Sequence, residues 1–128
     1  MEHKTIGMSL ILTAVIAMAF AQLLIKHVLT VHGEVPLKAA PFASYVWLLL
    51  GDWKAWLGGL GLVSSAILWY AALSRVPLSF AFPFAAISYP LIFVTSILFL
   101  GEPFSYTKLS ANGLIVSGVI IVGLSAAS

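Results

Sequence analysis

Gln22 and Lys26 stand four residues apart in an otherwise apolar stretch, so on a helix they share one face, and Met18 continues that face by another turn. In a bilayer such groups have to meet protein, a solvated cavity or the headgroup layer. Lining a substrate path, Gln22 would exchange hydrogen bonds and Lys26 would attract an anion such as a phosphate. On the plainer reading, Gln22 bonds a neighbouring helix and Lys26 snorkels to headgroups. The adjacent pair Trp69 and Tyr70 divides the same way, between anchoring at the membrane boundary and stacking on a sugar or cation. Ser79, Ser88 and Tyr89 lie beside two prolines, and serine hydroxyls in apolar helices commonly bond back to the preceding turn.

Pro83 and Pro90 sit seven residues apart in AFPFAAISYPLIF, close to two helical turns, and so would share a face of one helix. Each lacks an N–H and would deny a partner to the carbonyl four residues back, those of Ser79 and Ala86. The functional reading is a helix that bends around a polar path and hinges there, with both prolines facing the cavity of Gln22. A packing kink is the alternative.

Little else could carry chemistry. The four acidic residues, Glu2, Glu34, Asp52 and Glu102, fall outside the apolar runs, and His3, His27 and His32 lie near expected helix ends. No serine has histidine and carboxylate partners in a nucleophile pattern, two boundary histidines make a poor metal site, and there are no cysteines. The expectation is a protein that is no enzyme and takes no cofactor or metal. With Lys and Arg totalling six, nothing resembles a nucleic-acid stripe, and the basic balance suits lipid headgroups.

The elements that position these residues follow from the charges. Of the 128 residues 62% are hydrophobic and 8% charged, against about 45–50% and 25% in an ordinary soluble domain. Lys4 to Lys26 encloses 21 residues without a charge, Lys54 to Arg75 encloses 20, Arg75 to Glu102 encloses 26, and 20 follow Lys108. About 20 apolar residues cross a hydrocarbon core. The chain is therefore expected to be an all-α, single-domain (1–128) integral membrane bundle with spans at about 5–31, 53–73, 77–100 and 105–124. The first run is too long for a signal-peptide core and lacks a cleavage site before Lys26. Residues 40–51 are apolar but too short to span, which suits an interfacial helix whose Tyr45 and Trp47 join Trp53 and Trp56 in an aromatic belt.

Pro77 suits the first turn of the third span, and Ser105 the N-cap of the fourth. Gly113 and Ser117 have small-xxx-small spacing, with Gly118 beside them, and form a packing face. A contact between subunits is preferred to one within the bundle, because four helices enclose little volume. Lys26, Lys38, Lys54 and Lys108 fall on one side of the membrane and Lys4 and Arg75 on the other, which slightly favours outside termini and leaves an antiparallel dimer open.

The run Leu73 to Gly123, with its turn GEP and the segment NGLIVSGV, resembles the drug/metabolite transporter superfamily in its EamA-type four-helix units. Within it the chain is most similar to the E and F subunits of the 4-amino-4-deoxy-L-arabinose-phosphoundecaprenol flippase, which share Gln then Lys in AQLLIK. The pair Trp69–Tyr70 and the segment between helices 1 and 2 are more F-like, while VPLSFAFP and GEPFS are more E-like. The similarity covers about the whole chain. It implies a multi-pass protein of the bacterial inner membrane, with helices 1 to 3 lining the path and helix 4 in subunit contact, as a homodimer or with a paralogous subunit.

The small multidrug exporters are also similar through Lys26, but carry a carboxylate where this chain has Met18 and tend to have Tyr where it has Phe82. A cationic drug needs such a carboxylate in a low-dielectric cavity. A lipid-linked sugar offers a phosphate and hydroxyls instead, for which Lys26, Gln22, Ser88 and Tyr89 are suitable, with Trp69 and Phe82 as apolar walls and Met18 and Tyr70 beside them. The expected function is translocation of an undecaprenyl-phosphate-linked sugar. The rivals are export of a small solute and a scaffold that transports nothing.

Overall fold

A computed structural model describes residues 2–125. The chain forms α1 (Glu2–His32), α2 (Ala39–Leu50), α3 (Trp53–Leu73), α4 (Leu78–Ala85), α5 (Ser88–Leu100) and α6 (Tyr106–Ser125), with no strand among the described residues. Four segments are long and apolar enough to cross a membrane: α1, α3, the pair α4 and α5 together, and α6. Their limits agree with the expected spans to within a few residues. Met1 and residues 126–128, the ends of the expected domain, lie outside the described residues.

The third span, expected as one helix bent or kinked at its prolines, is broken between them into α4 and α5. Its break is one tight turn in which Ala86 (φ −65°, ψ −14°) and Ile87 (φ −59°, ψ −23°) take 3₁₀ values. The Ala86 N–H reaches the carbonyls of Phe82 and Pro83, and the Ile87 N–H donates to Phe84 at 3.1 Å. Pro83 falls near the end of α4. Pro90 falls in the first turn of α5, where a helix lacks intrahelical acceptors for its N–H groups in any case. Pro90 thus sits where a missing N–H costs least, whereas Pro83, inside α4, denies the Ser79 carbonyl its usual donor. The Ala86 carbonyl, expected to lose its partner to Pro90, accepts from the Tyr89 N–H at 3.1 Å. At the other end of α4, Pro77 is the N-cap rather than the first helical residue: its ψ of 146° is extended, and its carbonyl accepts from Phe80 and Ala81 at 3.0 Å each.

The tightest packing joins α1 to α3, which run antiparallel. A Cβ added to Gly58 would stand 2.6 Å from Ile25 Cγ1, and one added to Gly61 would stand 2.9 Å from the Ala21 Cβ. Hydrogen is the only side chain that permits this approach, which is how helices associate where lipid is as apolar as leucine. Ile11, Val15, Ala72, Val76, Phe80 and Ala81 continue the seam into a small core shared with α4. The fourth span, α6, packs on α4 and α5 and buries little beyond Val119.

At the far end of the seam the chain turns back on itself. Gly33 takes φ +87°, a left-handed conformation that glycine tolerates, and ends α1. Tyr45, expected in an exposed belt, is instead buried and donates its hydroxyl to the Gly33 carbonyl at 2.7 Å. Trp47, Trp53 and Trp56 are exposed as expected, and the Trp56 indole donates to the Leu50 carbonyl at 2.9 Å.

Candidate functional site

Four of the expected substrate residues meet in one place. Met18 from α1, Trp69 and Tyr70 from α3 and Phe82 from α4 line a cleft of about 350 Å³, with Ser65 and Ala85 among its other walls. Trp69 meets Phe82 edge to face, with ring centroids 5.5 Å apart and planes at 81°, an arrangement that fixes both rings. Ser65 is buried and spends its proton on the Leu62 carbonyl at 2.8 Å, so toward the cleft it offers an acceptor. No charged side chain lines the space. Such a cleft is suited to the apolar face and hydroxyls of a ring and gives a cation no counter-charge.

The remaining residues lie around it. Gln22 and Lys26 follow Met18 along α1 at one-turn intervals, and both are exposed. Lys26 lines a separate hollow of about 250 Å³ with Thr30, Gly33 and Glu34, and the Thr30 hydroxyl donates to the Lys26 carbonyl at 2.8 Å. Ser88 is buried and Tyr89 exposed, and neither lines the cleft. Pro83 and Pro90 are half-buried and also absent from its walls. The two prolines and Gln22 therefore do not share it, contrary to expectation. Phe82 and Ala85 face the cleft three residues apart, and Pro83, about 100° round the helix from Phe82, points elsewhere. The 3₁₀ turn then spoils the two-turn register that would have aligned Pro90 with Pro83.

On α6, Gly113, Ser117 and Gly118 are exposed. A Cβ at either glycine would meet nothing within 4 Å, and the Ser117 hydroxyl bonds back to the Gly113 carbonyl at 2.8 Å. Within the bundle, close approach is made by Gly58 and Gly61 instead. Their spacing in GGLG was a visible signal, obscured by the stronger small-residue pattern of the last span.

A second feature had no signal beyond residue type. His32 Nε2 lies 2.9 Å from Asp52 Oδ2, tying the end of α1 to the start of α3, while Asp52 Oδ1 caps α3 by accepting from the Lys54 N–H at 2.9 Å. The hydrogen bond from His32, followed by that backbone N–H, holds the Asp52 carboxyl below its ordinary value. Among the described residues no cluster of three or more His, Asp or Glu could hold a metal ion.

Four apolar spans, three of which line a carboxylate-free aromatic cleft, define a multi-pass membrane protein. No protein-family model matches the chain, and no solved structure does. It is 32% identical over 118 residues to a protein of Erwinia tasmaniensis named "Probable 4-amino-4-deoxy-L-arabinose-phosphoundecaprenol flippase subunit ArnF", covering 91% of this chain and 93% of that one. An ArnF relative from Enterobacter is 31% identical over 88% of this chain and 91% of its own. A relative of the ArnE type, from Aeromonas salmonicida, is 36% identical over half of this chain and 56% of its own. The chain belongs to the family of these ArnE and ArnF flippase subunits.

Proposed function

We propose that this chain is one subunit of an inner-membrane flippase that moves an undecaprenyl-phosphate-linked sugar, such as 4-amino-4-deoxy-L-arabinose, to the periplasmic leaflet. The observation that carries the reading is the similarity to relatives of that name along nearly their whole length. The cleft supports it. Trp69 and Phe82 offer apolar walls for a sugar ring, with Met18 and Tyr70 beside them, and Lys26, two turns from Met18, takes the phosphate. Gln22 lies between the two and reaches the headgroup's hydroxyls, while Ser88 and Tyr89 on the third span approach them from the other side. Because Gln22 and Lys26 are exposed in the single chain, a second subunit closes the path over them. That partner is a second copy or a paralogous four-helix chain, packed against Gly113, Ser117 and Gly118. The broken third span, with Pro83 and Pro90 bracketing its turn, hinges as the path opens to either leaflet.

Translocation of the lipid-linked sugar in proteoliposomes tests this. Lys26→Ala removes a charge-assisted contact worth about 1.5–3 kcal/mol and should slow transport about tenfold or more. Gln22→Ala should have a smaller effect in the same direction. Rates equal to the unmodified protein in both variants would refute the assignment of α1 to the path.

A further inference from the structure

On the other side of α1 from the aromatic cleft lies a larger groove, of about 530 Å³, between α1, α3 and the last turn of α5. Its size is that of a ligand pocket, about 300–1,000 Å³. Ala17, Ala21 and Gly61 lie along the seam where α1 and α3 approach closely, and Phe20, Leu57 and Phe99 are exposed beside them. Among the lining side chains only His27 is polar. Resting on the flippase reading above, we propose that this groove is the seat of the isoprenoid chain of the lipid-linked substrate.

Direction and charge argue for that occupant. Along α1 the groove runs from Ala17 to His27, ten residues or about 15 Å. It thus leads from within the span toward the end of α1, along the path a lipid chain takes. Its polar end is His27, whose imidazole can donate a hydrogen bond to a phosphate, and the next residue is Lys26. Glu34, the nearest carboxylate in the sequence, lines the hollow on the Lys26 side and not the groove. A phosphate held by Lys26 and His27 would leave the sugar on the Gln22 side of α1 and the tail on the Phe20 side. The helix end then separates headgroup from chain, so the sugar can enter a polar path while the chain stays in apolar surroundings. A partner helix seated in the groove would press apolar side chains on His27 instead, with nothing to meet its N–H.

The test uses the full chain in nanodiscs, with undecaprenyl phosphate as the probe. Ala17→Phe fills the groove and should weaken binding about tenfold, the equivalent of losing roughly one buried apolar side chain. Ala43→Phe, the same enlargement at an exposed site on α2 away from the groove, should leave binding unchanged. In the unmodified chain, a diazirine-bearing isoprenoid phosphate should label peptides of α1 and α5. Labelling concentrated on α6, or equal competition by phosphatidylglycerol, would overturn the proposal. So would an Ala17→Phe variant that changes only the oligomeric state, the mark of a helix in the groove. The two readings fail separately. Sugar transport that is indifferent to Ala17→Phe removes the groove and leaves the flippase, whereas groove-dependent binding without transport leaves the groove and removes the flippase.

Discussion

The α1–α3 seam and α6 are both rich in small residues, and they use them in opposite directions. In the seam Gly58 and Gly61 point inward, and a single added carbon at either would collide with α1. On α6, Gly113 and Gly118 point away from the bundle into open space. Burial follows: among the described residues α1 buries Ile11, Val15, Ala19, Ala21 and three others, and α6 buries Val119 alone. A small-residue motif therefore says that a close approach is wanted, but not by which partner. The seam has its partner within the chain, and the outer face of α6 has none there.

The sharpest way to break the comparison is to put one large side chain on each side. Gly61→Leu meets the Ala21 Cβ, which is fixed to the α1 backbone and cannot swing away. It should cost about 1–3 kcal/mol or more, read as a lower unfolding midpoint in detergent. Gly113→Leu should leave that midpoint within ~0.5 kcal/mol, since its surroundings are empty. Its effect should appear in association, as loss of the subunit contact in crosslinking or sedimentation. Should Gly113→Leu unfold the isolated chain while Gly61→Leu does not, the two faces have been assigned the wrong way round.

The same contrast explains what the sequence made legible. Span positions follow mostly from charge spacing, because a charge inside hydrocarbon is costly, although α1 runs on past Lys26 to the breaker at Gly33. The aromatic cleft was partly legible, since Met18, Trp69, Tyr70 and Phe82 were singled out and do meet. The break in the third span was anticipated from its two prolines, but its form was not. Proline marks a place where the ladder fails, but whether the chain kinks or makes a 3₁₀ turn depends on neighbouring N–H groups finding other acceptors, as Ala86 and Ile87 do. The buried role of Tyr45 and the partnership of His32 with Asp52 were invisible because they join residues 12 and 20 positions apart. Their geometry exists only once α1 and α3 have docked.

Those junction contacts permit smaller perturbations of the seam from its end. Tyr45→Phe removes the hydroxyl and leaves the Gly33 carbonyl without that donor, in a place only partly open to solvent. The expected loss is about 1 kcal/mol, seen in the same unfolding measurement. Gly33 keeps its left-handed conformation in either case, so α1 should end at the same residue. If amide exchange instead spreads through the last turns of α1, Tyr45 is holding the helix end in place rather than decorating it.

The smallest effect isolates the carboxylate of Asp52. Asparagine is also a good N-cap, so Asp52→Asn preserves the start of α3 while removing the charge that faces His32. Asp52 titrates below its ordinary value of 3.8 in the folded chain, because the His32 hydrogen bond and the Lys54 N–H favour its ionised form. A carboxyl with a lowered folded value stabilises the fold fully above the unfolded value, and that contribution is lost as pH falls through the folded one. The unmodified chain should therefore outlast Asp52→Asn at neutral pH, with a gap that stays constant down to about pH 4 and closes below 3.8. The same gap should shrink in His32→Ala, which lacks that partner but keeps the Lys54 N–H. A gap that survives strong acid would assign the difference to shape at the cap, and the seam would then owe nothing at this end to electrostatics.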